Sequence, residues 1–261
     1  LTLLTAFLFV IPGFGEFAPD NRVSQFWNPS KFFFRPSQVW SFSDLGKITP
    51  SRGWILRAYS SVLEIAGASP WLIQRIFHVT LIVGGSLGAA MVAREFLGRS
   101  RIGPAVAGTY WITSAYTVVF LMPSDLYVNV VVAPWLFLAW IRGTTTPSRW
   151  RWAAVFASAV AVAGFLNPPG LILASLPLIP LAGYQIWTRQ SSWAATVRWL
   201  ARALLLTVAI SISDFYRSLL FENAHTANLL STETADAVSR SASWSESLRG
   251  LGHWLIYWNP S

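Results

Sequence analysis

Short arginine-rich connectors follow Ala93, Ile141 and Trp187, and between them the chain is apolar in runs of about membrane-spanning length. Roughly 20 apolar residues suffice for a helix to cross a bilayer. Cationic connectors that recur after every second run follow the positive-inside rule, which places them on the cytoplasmic side. The remaining connectors must then all face outward: the stretch 12–57, the Pro123-Ser124-Asp125 turn, the Asn167-Pro168-Pro169-Gly170 turn and the segment 214–252. Composition agrees, with 54% hydrophobic and only 11% charged residues, where soluble domains carry about a quarter charged. The net charge of +8 is therefore topology, and a nucleic-acid partner is not implied. Without cysteine the chain has neither a disulfide framework nor a thiolate metal site.

In order, 1–11 reads as the outer end of a truncated first span, and 58–67 as an amphipathic interfacial helix. Spans are expected over 70–93, 102–122, 126–141, 152–166 and 171–187, with a last one continuing over 203–213. Arg189, Arg198 and Arg202 are assigned to the last basic connector. The expected fold is all-α: a polytopic membrane bundle with long extracytoplasmic loops, one domain over 1–261. Residue 1 is Leu, and the sequence stops just after an aromatic apolar run, so the domain reads as a fragment truncated at both ends.

The stretch 12–57 is too rich in polar residues and proline to span a membrane, and too aromatic to be a disordered linker. Long loops of this kind are more often functional than incidental. It carries Asp20-Asn21-Arg22 near its start. A carboxylate there could take the proton of an attacking sugar hydroxyl, and Arg22 could grip a phosphate in bidentate fashion. The same triplet also reads as a turn with a local ion pair. Asp125 is either a solvated turn residue or a second carboxylate on the same face. Arg75 and His78, three apart on one helix face, could hold a lipid phosphate or simply snorkel to the interface. Asn167 opens either a tight outer turn or a break that lines a cavity. His225 and His253 lack metal-site spacing. There is no P-loop, no dinucleotide-binding glycine motif, no HExxH and no Ser-His-Asp order.

In this arrangement the sequence resembles the N-terminal membrane part of actinobacterial, mycobacterial-type α-(1→3)-arabinofuranosyltransferases, cell-wall arabinan enzymes with a GT-C fold. The matching pieces are Asp20-Asn21-Arg22, Pro70-Trp71-Leu72-Ile73-Gln74-Arg75, Ser124-Asp125 through Ala133-Pro134-Trp135, and Asn167 with the Leu-Pro-rich span after it. Phe221-Glu222-Asn223-Ala224 and the more specific Leu248-Arg249-Gly250-Leu251-Gly252-His253-Trp254 complete the set. Two positions depart from the family's pattern: Ser24 stands where a second acid is frequent, and Asp125 where glutamate is expected.

The resemblance implies transfer of arabinofuranose from a polyprenyl-phosphate donor to an arabinan acceptor, with a multi-pass location in the cell membrane and an extracytoplasmic active site. Asp20 maps onto the catalytic base, and Arg22 and Arg75 onto the donor phosphate. Asp125 and Glu222 are candidates to complete the site or to hold a divalent cation (Mg, Mn or Ca). Asn167, Arg249, His253 and Trp254 are candidate substrate contacts. The rival readings are transfer of another polyprenyl-linked sugar, mannose first, and a flippase or transporter of lipid-linked sugars. The latter predicts polar residues along the middle of spans or inverted repeats.

Overall fold

The structure is a computed structural model, and the described residues are 26, 29–30, 54–98, 100–114, 117, 124–146, 149–164 and 168–221. Among them every element is a helix. α1 is Trp54–Ile65, α2 Pro70–Leu97, α3 Ile102–Thr113 and α4 Ser124–Thr145. α5 is Arg149–Gly164, α6 Pro168–Ser175, α7 Leu178–Trp187 and α8 Trp193–Phe221. Four stretches are long and apolar enough to cross a membrane: Pro70–Leu97, Val128–Thr145, Gly170–Trp187 and Trp193–Ile212.

α2 starts where Pro70 takes the first helical position, a site at which its missing N–H costs nothing. The helix stops at Gly98, whose φ of 61° returns its N–H to the Arg94 carbonyl. α3 runs back along α2 through small residues: Ser86 Oγ donates to the Gly108 carbonyl at 3.1 Å. A β-carbon at Gly85 would stand 2.5 Å from Trp111 Nε1, so the two helices approach as closely as glycine allows.

α4 then lies parallel to α2. Gly84 faces Val131, Gly88 faces Pro134 and Trp135, Trp135 Nε1 donates to the Gly84 carbonyl at 3.0 Å, and Arg142 Nε donates to Glu95 Oε1 at 2.9 Å. These pairs advance together along both helices, which fixes a single register. The Arg142 guanidinium also stacks over the Trp152 ring, 4.9 Å from its centroid, tying the start of α5 to the same end. Further in, Trp199 of α8 is fully buried between Trp140 and Phe156, edge-on to each at 5.4 and 5.3 Å. Gln185 of α7 accepts hydrogen bonds from Trp140 Nε1 and Thr144 Oγ1 at 3.0 and 3.3 Å. The basic connectors thus gather at one end of the bundle, as the alternation requires.

Several expected boundaries move. The run 171–187 is broken at Leu176-Pro177 into α6 and α7, because Pro177 and Pro180 have no N–H for the helical ladder. α4 begins at Ser124, so the backbone of Asp125 lies in the first turn of a helix and not in a loop. α8 begins at Trp193, which puts Arg198 and Arg202 inside a helix and not in a connector, and it continues past Asp214 to Phe221. The amphipathic helix expected at 58–67 forms at 54–65 and lies against α2: Tyr59 hydrogen-bonds Thr80 at 2.7 Å, with its ring 6.0 Å from that of Phe77.

Candidate functional site

At the end opposite the arginines, the helices bury a cluster of polar side chains, which costs free energy unless each finds a partner. On α2, Gln74 is fully buried, Arg75 is 9% exposed and His78 4%. On α1, Ser60 and Ser61 are buried, and on α4 Asn129 is 4% exposed. His78 Nδ1 lies 2.9 Å from the Gln74 carbonyl, one turn back. A carbonyl only accepts, so this ring nitrogen carries the proton and the tautomer leaves Nε2 as the basic position in the neutral ring. A buried guanidinium and imidazole on one face of a spanning helix mark a path or a site far more often than a packing solution.

Described residues from the stretch 12–57 pack on this end. Phe26 is fully buried with its ring 5.6 Å from that of Phe77, the immediate neighbour of His78. Four residues on, the Ser30 N–H donates to Glu64 Oε2 at 2.8 Å. Phe26 and Ser30 are therefore held to α2 and α1. The register of α2 and α4, continued outward from Gly84 and Val131, sets the backbone of Asp125 level with His78. One further turn along, on the same face as Asp125, stands Asn129. Neither its Oδ1 nor its Nδ2 has a hydrogen-bond partner among the described residues. A buried amide without partners is costly, and such a group is typically retained for something other than packing. Sequence reasoning passed over Asn129 because a lone asparagine in an apolar run carries no motif. Its spacing of four from Asp125 was the available signal.

A family model described as alpha-(1->3)-arabinofuranosyltransferase, N-terminal GT-C domain, matches residues 3–261. The chain belongs to this GT-C domain family. Its fold is that of solved relatives: two electron cryo-microscopy structures of arabinofuranosyltransferase AftD from Mycobacteria, two classes of one mutant, superpose with TM-scores of 0.63 and 0.64 at 24% identity. They cover 80% and 79% of this chain, which spans only 17% and 16% of theirs. No curated protein matches it.

Within this GT-C domain, of the residues singled out from sequence, the structure describes the side chains of Arg75 and His78 and the backbone of Asp125, and brings them to one end of the bundle. Asp20, Arg22, Asn167, Glu222, Arg249, His253 and Trp254 lie outside the described residues. Among the described residues no three metal-ligating side chains converge.

Proposed function

We propose that this chain is the membrane-embedded part of a glycosyltransferase that moves arabinofuranose from a polyprenyl-phosphate donor onto a cell-wall arabinan acceptor, at the extracytoplasmic face. The observation that carries the reading is the match of the arabinofuranosyltransferase family over residues 3–261. The buried Arg75 and His78, with Phe26 packed on the neighbouring Phe77, support where the chemistry would sit.

In this reading the donor's lipid tail lies between helices, and its phosphate meets Arg75, Arg22 or both, because a phosphodiester anion entering an apolar bundle needs a cation already in place. Asp20 accepts the proton of the acceptor hydroxyl. That oxygen attacks the anomeric carbon, and the bond to polyprenyl phosphate breaks with its electron pair leaving on the phosphate. A single displacement inverts the anomeric centre. Asn167, Arg249, His253 and Trp254 contact the sugars, and Asp125 and Glu222 complete the polar wall. A divalent cation held by the last two remains an expectation, and no step passes through one.

The test is transfer by membranes carrying the full-length parent, supplied with decaprenyl-phosphoryl arabinose labelled in the sugar and a short arabinan acceptor, with a mannosyl donor run in parallel. Label in the arabinan from the arabinose donor is expected. Transfer from the mannosyl donor alone would replace the substrate class. Movement of intact donor across the membrane without transfer would establish the transporter reading.

Asn129 yields a second expectation. Asn129→Leu removes an orphaned amide from a buried site, so the purified protein should melt at a higher temperature, by the equivalent of about 1–3 kcal/mol. Its transfer rate should nevertheless fall about tenfold or more, the loss of one hydrogen bond to a substrate hydroxyl that the amide was kept for. A variant that is more stable and fully active would remove Asn129 from the site.

A further inference from the structure

α8 carries a stripe that the sugar chemistry does not use. Arg198, Arg202, Leu205, Ala209 and Ile212 recur at spacings of four, three, four and three, which puts all five on one face of the helix. The first two are cations and the rest are apolar. Leu205 and Ile212 are 60% and 62% exposed, and Arg198 and Ala209 are also exposed. From Arg202 to Ile212 the helix rises about 15 Å at 1.5 Å per residue, which is about half the ~30 Å hydrocarbon core of a bilayer. The face therefore has the length and polarity of one phospholipid in the leaflet at the arginine end.

The head of the stripe is built for an anion. Arg198 Nε donates to the Ala194 carbonyl at 3.1 Å, so its side chain turns back toward the start of the helix. Arg202 sits over the ring of Trp150, 5.3 Å from the centroid, while Arg151 leans over the Trp152 ring at 5.7 Å. Trp150 and Trp193 are 53% and 69% exposed, at the level where indoles border headgroups. Glu95 is the one acid described at this end of the bundle, and Arg142 already engages it. Arg202 thus lies over an exposed indole, Arg198 stands one turn before it on the same face of α8, and no carboxylate is described among them, directly above an exposed aliphatic column.

We infer that the seam between α5 and α8 binds an anionic phospholipid, its phosphodiester at Arg198, Arg202 and Trp150 and one acyl chain along Leu205 to Ile212. The continuity of cationic head and apolar column on a single face favours a lipid over an acidic polypeptide, which would have no use for the column.

The experiment uses the full-length protein, delipidated in a neutral detergent and titrated with dioctanoyl phosphatidylglycerol or dioctanoyl phosphatidylcholine while its unfolding midpoint is followed. Phosphatidylglycerol should raise the midpoint by several degrees and phosphatidylcholine should not, since a ligand that binds only the folded form stabilises it by mass action. The double variant Arg198→Gln/Arg202→Gln should need about thirtyfold more phosphatidylglycerol, each arginine supplying about fivefold. Trp150→Leu, which keeps all the charges, should also weaken the response. Arg94→Gln/Arg101→Gln, at the α2–α3 connector, should leave it unchanged. Equal responses to the two lipids, or an unaltered Arg198/Arg202 variant, would overturn the site. So would equal weakening by the Arg94/Arg101 variant, which would mean diffuse attraction. Stabilisation by polyglutamate that matches the lipid would reassign the surface to an acidic protein.

Discussion

Asp20→Asn is expected to lower arabinosyl transfer by about 10²–10⁴-fold, the usual contribution of a positioned general base, with the amount of protein in the membrane unchanged. The asparagine keeps the size and one acceptor oxygen of the side chain but cannot take up a proton, so the loss should fall on kcat with little change in the donor's KM. Asp20 stands six residues before Phe26. Phe26 itself is fixed against Phe77, at the end of α2 that carries Arg75 and His78. Matched immunoblots and steady-state rates with the labelled donor provide the measurement. A rate equal to that of the unaltered protein would move the base to Asp125 or Glu222 and leave the reaction class intact. If Asp20 serves only as the partner of Arg22 in a turn, the donor's KM should rise while kcat holds.

Gly143→Ala should be the most damaging single methyl group in the described part of the bundle. A β-carbon at 143 would overlap the Trp199 indole, with Cζ2 at 2.7 Å, and Trp199 cannot retreat because Trp140 and Phe156 meet it edge-on. Overpacking of this kind costs about 1–3 kcal/mol. Removing the indole, as in Trp199→Ala, should cost more, about 3–5 kcal/mol. The pair is expected to be coupled: Trp199→Phe frees room beside 143, so adding Gly143→Ala to it should cost less than adding Gly143→Ala to the native sequence. Unfolding midpoints of the four purified proteins in detergent decide this. Independent, additive losses would mean that the close approach at Gly143 is not what holds α4 to α8.

The alternation of apolar runs and arginine connectors was enough to read an all-helical bundle, its up-and-down order and the end at which the cations collect. Those features depend on local composition, and a bilayer punishes any departure from them. What the sequence hid was non-local or had two meanings. Arg198 and Arg202 read as connector residues because two cations so close together look like a break. A long side chain can nevertheless stay helical while its head reaches back to the interface, and α8 takes that course. Nothing at position 143 announces position 199, since a glycine gains significance only from the residue placed opposite it. The site was half legible. Arg75 could be picked out by its charge at the head of an apolar run, whereas Asn129 is neutral and becomes conspicuous only once both of its polar atoms are seen to be buried without partners.

Because α2 and α4 lie parallel, their N-termini open toward the same end of the bundle. Each helix terminus there carries the equivalent of about half a positive charge from its aligned peptide dipoles. Together they impose roughly one elementary charge of positive potential that no side chain supplies and no titration removes. A phosphate approaching between the two helices would meet that field before it reached Arg75. On the proposed reading, that field would favour an anionic donor even with acidic residues at the same mouth, and it would not vary with pH as a histidine's charge does.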